Sequence, residues 1–163
     1  MKTIGIISDT HDNLQMIAKA RQIFSEKNVD IILHAGDFVA PFAVKSLLNG
    51  WQKDFRGVFG NNDGEKEGLR SASGDRIFPG PYFFTWEGIS IGMMHAFVES
   101  DSRLSGCDLV VFGHTHTASV KQKKVHDRDV LFINPGEGGG WVTNIASVAL
   151  VHIPALKEEF IIL

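Results

Sequence analysis

The first half of the chain alternates apolar runs with segments of helical periodicity, a pattern that predicts strands followed by helices. Residues 3–8 and 30–35 are predicted to be strands buried on both faces, and residues 56–59 a third strand. After the first strand, apolar residues recur at spacings of three and four behind Asp12 and Asn13, either of which can cap a helix. A second, shorter helix is predicted between Pro41, which suits a first helical turn, and the Asn49–Gly50 pair.

The second half contains paired apolar runs, which predict antiparallel strands. The predicted strands are 82–86, 89–94, 108–112, 120–125, 130–134, 144–153 and 159–163. Glu87–Gly88 and residues 126–129 supply two hairpin turns. Strand–helix alternation followed by such pairs predicts an α/β fold, a four-layer α/β/β/α sandwich with helices outside two packed sheets. With 163 residues, the chain fits a single domain, residues 1–163.

Composition and charge narrow the classes of function. The chain is 44% hydrophobic and 21% charged, as in an ordinary soluble globular protein, and no apolar run approaches the roughly 18 residues of a membrane span. The net charge of −3 argues against nucleic acid as a partner. Cys107 is the single cysteine, so an intramolecular disulfide is excluded and we expect a small buried residue. Without a recognisable signal peptide, we expect a cytoplasmic protein with no membrane partner.

Aspartate, asparagine and histidine collect where six of the predicted strands end. The endings are Asp9-Thr10-His11, Gly36-Asp37, Gly60-Asn61-Asn62-Asp63, His95, Gly113-His114-Thr115-His116 and Asn134-Pro135-Gly136. Open α/β sheets bind ligands outside the carboxyl ends of their strands, so these endings should converge on one rim. Their oxygen and imidazole donors suit Mn, Fe, Zn, Co or Ni. They are too many for one four-coordinate zinc ion and enough for two ions that share a bridge, which suggests displacement at phosphorus.

These ordered blocks resemble the calcineurin-like metallophosphoesterase family, and the small size and the Asn134-Pro135-Gly136 ending resemble its compact YfcE-type branch of bacterial and archaeal phosphodiesterases. The resemblance implies a first ion held by Asp9, His11, Asp37 and His116. It implies that Asp37 bridges to a second ion, which Asn61, His95 and His114 complete. It also implies a phosphoesterase, by preference a phosphodiesterase, in which a hydroxide that bridges the ions attacks a small phosphate ester. We expect two divalent ions, manganese first, with nickel, iron, zinc, cobalt and magnesium as alternatives.

One position departs from the family pattern. Many members have a histidine where this chain has Asn62, and that histidine contacts the phosphate and helps to protonate the leaving oxygen. Asn62 can donate a hydrogen bond to a phosphoryl oxygen but cannot supply a proton. We therefore expect Asn62 to bind substrate in catalysis, with Asp63 in support, and we expect diesters or esters with good leaving groups as substrates. His34, at the end of a buried strand, is expected to support the ligands without binding metal.

Other functions fit parts of the sequence. A non-catalytic scaffold on the same fold, similar to the small subunit of eukaryotic retromer, would be favoured if Phe78, Tyr82 and Phe97 formed an exposed patch. However, that subunit has lost parts of the ligand set, whereas every ligand position here holds a competent residue. A nuclease acting on polynucleotides would need a basic stripe, which is missing. The glycine-rich residues 136–140, followed by Trp141, are either a loop that approaches phosphate or a flexible turn. The expected assembly is a homodimer or a higher homo-oligomer.

Overall fold

The structure is a computed structural model that describes residues 1–163. None of its helices has the length and apolarity needed to cross a membrane. In chain order the elements are β1 (Lys2–Ile7), α1 (Leu14–Glu26), β2 (Ile31–His34), α2 (Pro41–Leu47), β3 (Asp54–Val58), α3 (Lys66–Ser73), β4 (Ile77–Phe78), β5 (Tyr82–Trp86), β6 (Ile89–Met93), a 3-10 helix (Ser102–Gly106), β7 (Leu109–Val111), β8 (Ser119–Val125), β9 (Arg128–Asn134), β10 (Ser147–Ile153) and β11 (Lys157–Ile162).

The strands form two sheets, and each sheet has a parallel centre. The first has the order β11-β10-β1-β2-β3-β4, in which β1 to β4 are parallel and β10 pairs antiparallel with β1. The second has the order β5-β6-β7-β9-β8, in which β6, β7 and β9 are parallel and β5 and β8 are antiparallel edges. The parallel strands of a sheet end at one edge, so their following loops are neighbours.

Three apolar clusters hold the layers together. The sheets face each other across a core that includes Ile4 and Ile6 from the first sheet and Val111 from the second. All three α-helices lie against the outer face of the first sheet, where Phe24 is fully buried. The outer face of the second sheet carries the 3-10 helix, anchored by Leu104. The predicted α/β fold with two packed sheets is therefore confirmed, and where the sequence predicts an outer helical layer on the second sheet there is only this short 3-10 helix.

The predicted starts of the first two helices agree with the structure. Asn13 caps α1, because its Oδ1 accepts a hydrogen bond from Met16 N at 3.3 Å, and Pro41 occupies the first turn of α2. The expected stop of α2 at Asn49–Gly50 is late, since the helix ends at Leu47. The helix α3 and the two-residue β4 have no counterpart in the sequence prediction. Leu69 is the only fully buried large apolar residue of α3, and the other residues of this helix are mostly polar, so no recurring apolar positions mark it in the sequence.

Candidate metal centre

Loops from both sheets meet beyond the carboxyl ends of the parallel strands. The loop after β1 contacts the loop after β2, where Asp9 N donates to Gly36 O at 2.9 Å. The loop after β7 reaches across from the second sheet, and His114 N donates to Asp9 Oδ2 at 3.1 Å. In the second sheet, Gly113 N donates to His95 O at 2.9 Å. The rim that the sequence predicts therefore draws on both sheets, and all seven predicted ligands lie on it.

A first group of ligand atoms surrounds Asp9. The Nε2 atoms of His116 and His11 lie 3.5 and 4.0 Å from Asp9 Oδ1, and the two imidazole rings stack with centroids 5.2 Å apart. Asp9 Oδ1 and His11 Nε2 are buried and have no hydrogen-bond partner. Such atoms cost free energy unless they are paired, and a carboxylate oxygen facing imidazole nitrogens is satisfied by a cation. These residues therefore fit a divalent ion.

A second group surrounds His95. Its Nε2 lies 2.9 Å from Asn61 Oδ1, which is in turn 3.0 Å from His114 Nδ1. His95 Nδ1 donates to Ala35 O at 2.9 Å, so in the neutral ring Nε2 carries a lone pair. A nitrogen lone pair facing an amide oxygen is a pair of acceptors, which a cation, an added proton or a rotation of the Asn61 amide would reconcile. The second group therefore also fits a metal ion.

Asp37 stands between the two groups. Its Oδ2 lies 3.6 Å from His11 Nε2 and 3.3 Å from His95 Nε2. Asn62 fixes the carboxylate, because Asn62 N donates to Oδ1 and Asn62 Nδ2 donates to Oδ2, both at 2.8 Å. Burial acts to raise the pKa of Asp37, but hydrogen bonds from His95 and Asn62 outweigh it and hold the pKa well below its usual range. The carboxylate is thus charged and held where a bridging ligand would be.

The other buried ionisable groups of the site show where charge is unbalanced. Burial raises the pKa of Asp9, because the hydrogen bonds from Ser8 and His114 N offset only part of the cost of desolvation. Burial acts to lower the pKa of His95, but the hydrogen bonds with Asp37 and Ala35 O and the negative charges of Asp37 and Asp9 together outweigh it and raise the pKa above its usual value. The raised pKa values of Asp9 and His95 both reflect buried negative charge that no positive group neutralises. A divalent cation would supply that charge.

The backbone of the site is strained. Five of the seven predicted ligands have positive φ angles: Asp9 (52°), His11 (41°), Asp37 (59°), His114 (70°) and His116 (58°). Non-glycine residues seldom adopt this region, and each instance costs on the order of 1–3 kcal/mol. The loops therefore turn sharply two to five residues beyond the end of a strand, which aims neighbouring donors at a shared space. Strain of this kind is typical of functional sites.

Asp63 holds two of these loops in place. Its buried carboxylate accepts hydrogen bonds from Asp37 N at 3.0 Å, Val39 N at 2.7 Å and Gly60 N at 2.7 Å. Because these backbone contacts occupy both oxygens, the geometry favours the expected supporting role and gives Asp63 no direct part in catalysis. The amide of Asn62 is likewise engaged, with Asp37, so its contact with substrate stays a prediction.

His34 lies behind the ligand loops. Gly36 N donates to His34 Nδ1 at 3.2 Å, and His34 Nε2 lies 3.1 Å from Thr10 Oγ1. The ring also stacks on Phe38 with centroids 3.6 Å apart. Burial lowers the pKa of His34 well below its usual value, so the ring is neutral and its Nε2–H donates to Thr10. His34 therefore joins the loops after β1 and β2, and its support of metal ligands stays a prediction.

Glu137 is a site residue that sequence reasoning missed. Its carboxylate is 1% exposed, and Oε1 lies 3.2 Å from His116 Nδ1. It accepts hydrogen bonds from the backbone N–H groups of Trp141, Val142 and Thr143 and from Thr143 Oγ1. Burial acts to raise the pKa of Glu137, but these donors outweigh it and lower the pKa. The one available signal was an acidic residue among the glycines of 136–140, which form a packed loop and not a flexible turn.

The aromatic residues that would favour a scaffold do not form one patch. Phe78 and Tyr82 stack with centroids 4.1 Å apart and are half-buried, and Tyr82 packs against the core between the sheets. Phe97 lies instead against Phe112 and Phe132 on the outer face of the second sheet. A cavity of about 680 Å³ opens there, and none of the predicted ligands lines it. The structure therefore gives no support to the scaffold alternative from these residues.

The chain is similar to known proteins in both sequence and fold. Residues 1–155 match the family model of the calcineurin-like phosphoesterase superfamily domain. The chain is 34% identical to the phosphodiesterase MJ0936 of Methanocaldococcus jannaschii over 96% of this chain and 95% of that protein. A solved structure of an archaeal phosphodiesterase superposes with a TM-score of 0.85 at 32% identity, over 99% of both chains. The phosphoesterase YfcE of E. coli shares the fold, with a TM-score of 0.70 at 18% identity over 98% of both chains.

Proposed function

The chain belongs to the calcineurin-like phosphoesterase superfamily, and we propose that it is a phosphodiesterase with two divalent metal ions. The observation that carries the proposal is the position of Asp37 Oδ2, within 3.6 Å of His11 Nε2 and 3.3 Å of His95 Nε2. One fixed carboxylate oxygen thus faces two separate groups of nitrogen and oxygen donors, which is the arrangement a bridged pair of ions requires. We propose manganese as the first metal to test and residues 1–163 as one domain.

The ions, when bound, would supply a hydroxide nucleophile and positive charge for the phosphoryl oxygens. The role of the protein is to hold the metal-binding atoms in place. Asn62 fixes Asp37, the Ala35 carbonyl orients His95, and the Asp63 carboxylate ties the loops after β2 and β3 together. Rigid positioning of this kind lowers the reorganisation that accompanies the reaction.

One observation supports esters with good leaving groups as substrates, and a second supports diesters over monoesters. The side chain of Asn62 is not an acid, so the loop after β3 supplies no general acid to protonate the oxygen of the departing alcohol. The relative at 34% identity is a phosphodiesterase. An acidic alcohol or phenol departs from either kind of ester without such help, whereas a poor leaving group depends on it, so the preference for diesters rests on the relative.

The proposal is tested by hydrolysis of bis(p-nitrophenyl) phosphate and p-nitrophenyl phosphate by protein stripped of metal and reloaded with Mn²⁺. We expect diester turnover that requires metal and falls in Asp37→Asn and His116→Ala by more than the roughly 10–100-fold that loss of a supporting residue costs. His152→Ala is the matched control, because His152 lies in β10 and contacts Thr3 outside the site. Monoester turnover equal to diester turnover would refute the diester preference. If the protein binds two ions and hydrolyses neither ester, the proposal that it is an enzyme is refuted.

The role of position 62 is tested separately. Asn62→His introduces a proton donor, so we expect turnover of phenyl phosphate to rise relative to that of p-nitrophenyl phosphate. Asn62→His also removes the hydrogen bond from Asn62 Nδ2 to Asp37, which lowers activity in general. The ratio of phenyl phosphate to p-nitrophenyl phosphate turnover does not depend on such a general loss. An unchanged ratio would show that the lack of a histidine at position 62 does not set the leaving-group preference.

A further inference from the structure

An exposed tryptophan stands at the edge of the first ligand group. Trp141 is 63% exposed, although tryptophan side chains usually bury most of their surface. Its indole Nε1–H donates to His11 O at 3.1 Å, and its backbone N–H donates to Glu137 Oε1 at 2.8 Å. That oxygen lies 3.2 Å from His116 Nδ1. Trp141 is therefore one contact away from both histidines of the first group.

The loop that carries Trp141 is held rigidly against the ligand loop after β1. Gly138 N donates to Ser8 O at 2.7 Å, and Gly139 N donates to Asp9 O at 3.0 Å. A Cβ at Gly139 would come within 2.7 Å of Thr10 O, so this approach requires glycine. The backbone carrying the indole is thus anchored to the chain segment that presents Asp9, and its position at the edge of the site is fixed before substrate arrives.

The chemistry of a held, exposed indole defines what it can bind. The single donor of the indole is occupied by the His11 carbonyl, so the group left for a ligand is the aromatic face. An aromatic face stacks on planar rings, and every nucleobase offers one. We propose that Trp141 is a stacking platform for a planar group of the substrate, which makes the substrates small phosphate esters that carry an aromatic ring or a nucleobase. This inference rests on the proposed function.

The test compares inhibitors that differ only in the planar group. AMP and ribose 5-phosphate share the phosphate and the sugar, and phenyl phosphate and methyl phosphate form a second pair without a nucleoside. Competitive inhibition of Mn²⁺-dependent bis(p-nitrophenyl) phosphate hydrolysis is measured for each. We expect the planar member of at least one pair to bind more tightly, and Trp141→Ala to reduce that preference roughly 5- to 100-fold. The pair that responds distinguishes a nucleobase from another aromatic group.

Two further variants separate stacking from a general effect on the loop. Trp141→Phe keeps an aromatic face and loses the hydrogen bond to His11, so it should retain most of the preference. Ile145→Ala removes another exposed apolar side chain of the same loop, 54% exposed, and should leave the preference unchanged. An equal loss in Ile145→Ala, or an unchanged preference in Trp141→Ala, would overturn the inference while the proposed function stands.

A readout that does not depend on turnover keeps the two proposals distinguishable. Stacking of AMP on Trp141 should quench tryptophan fluorescence of the Mn²⁺-loaded protein, and Trp141→Phe should remove that quenching, because the remaining tryptophans are Trp51 and Trp86. Quenching without hydrolysis of any ester would refute the function and keep the platform. Gel filtration covers the other use of an exposed tryptophan. A wild-type dimer that Trp141→Ala converts to monomer, with no quenching by AMP, would assign Trp141 to a contact between copies and overturn the inference.

Discussion

Replacement of Glu137 by glutamine should weaken both the fold and the first ligand group. Three donors reach Oε2, namely Val142 N, Thr143 N and Thr143 Oγ1, so the new amide nitrogen must take the place of Oε1. There it faces the Trp141 N–H, 2.8 Å from Oε1, and the Val142 N–H, which Oε1 shares with Oε2 at 2.9 Å, so at least one hydrogen bond to a charged acceptor is lost. Such bonds contribute roughly 1.5–3 kcal/mol, and the neutral oxygen weakens the others, so we expect about 2–4 kcal/mol less free energy of unfolding.

The same substitution changes the proton on His116. An amide nitrogen in the place of Oε1, 3.2 Å from His116 Nδ1, donates to that atom. In the neutral ring the proton then moves to Nε2, the nitrogen that faces Asp9 at 3.5 Å and would have to bind metal through its lone pair. Loss of a group that orients a metal-binding histidine costs about 10–100-fold in affinity, and we expect a loss of that size for one of two bound Mn²⁺ ions.

Calorimetric titration with Mn²⁺ and urea unfolding of the metal-free protein measure the two effects. Thr143→Val is the matched control, because it removes one hydrogen bond to Glu137 and keeps the carboxylate beside His116. The control also removes the contacts of Thr143 Oγ1 with Ile145, so it should lose roughly 1.5–3 kcal/mol of stability, and it should bind both ions as the wild type does. Wild-type affinity for both ions in Glu137→Gln would refute the argument and reduce Glu137 to a purely structural residue.

Three other measurements test separate parts of the structure. Asp63→Asn places an amide nitrogen opposite at least one of the three backbone N–H groups that the carboxylate binds. We expect the free energy of unfolding, measured in urea, to fall by roughly 2–4 kcal/mol, and wild-type stability would contradict the role given to Asp63. Burial raises the pKa of Cys107 to about 11, so at pH 8 the thiol is protonated and should resist iodoacetamide until urea unfolds the chain; rapid alkylation of the folded protein would contradict its burial. Mn²⁺ at 100 times its dissociation constant should raise the free energy of unfolding by about 2.7 kcal/mol per ion over protein in EDTA, and coincident unfolding curves would exclude a site built in the folded state.

The sequence indicated the candidate ligands because all seven follow the end of one of five strands, β1, β2, β3, β6 and β7. Buried strands appear as apolar runs, and the first polar residue after such a run marks the edge of the sheet. Asp9, Asp37 and His95 are all placed in this way, and the fold brings them together because β1, β2 and β6 belong to the parallel centres of two facing sheets. The strand endings therefore predicted which residues come together, whereas the assignment of each residue to one of two ions came from the resemblance to the family and stays a prediction.

The residues that orient the ligands were harder to predict, because their partners are distant in sequence. Glu137 is 21 positions from His116, and its other contacts are with backbone N–H groups, which leave no pattern of side-chain types. Sequence placed Asp63 in a turn but could not show that it binds Asp37 N and Val39 N across 26 and 24 positions. The helix α3 escaped prediction for the opposite reason, since its own composition is too polar to reveal a buried face.

The choice between Asp12 and Asn13 as the cap of α1 shows how the site overrides local rules. Both are good caps, but Asp12 has a φ of 57° and its Oδ1 accepts a hydrogen bond from Ala40 N at 3.0 Å, so its side chain joins the loop after β1 to the start of α2. Asn13 is left to cap the helix, and its Nδ2 donates to Gly139 O at 2.7 Å. Both residues between His11 and α1, Asp12 and Asn13, thus form side-chain hydrogen bonds with a neighbouring loop. The strain that these loops carry at the ligands is tolerated because contacts of this kind, and not local preference, determine the backbone there.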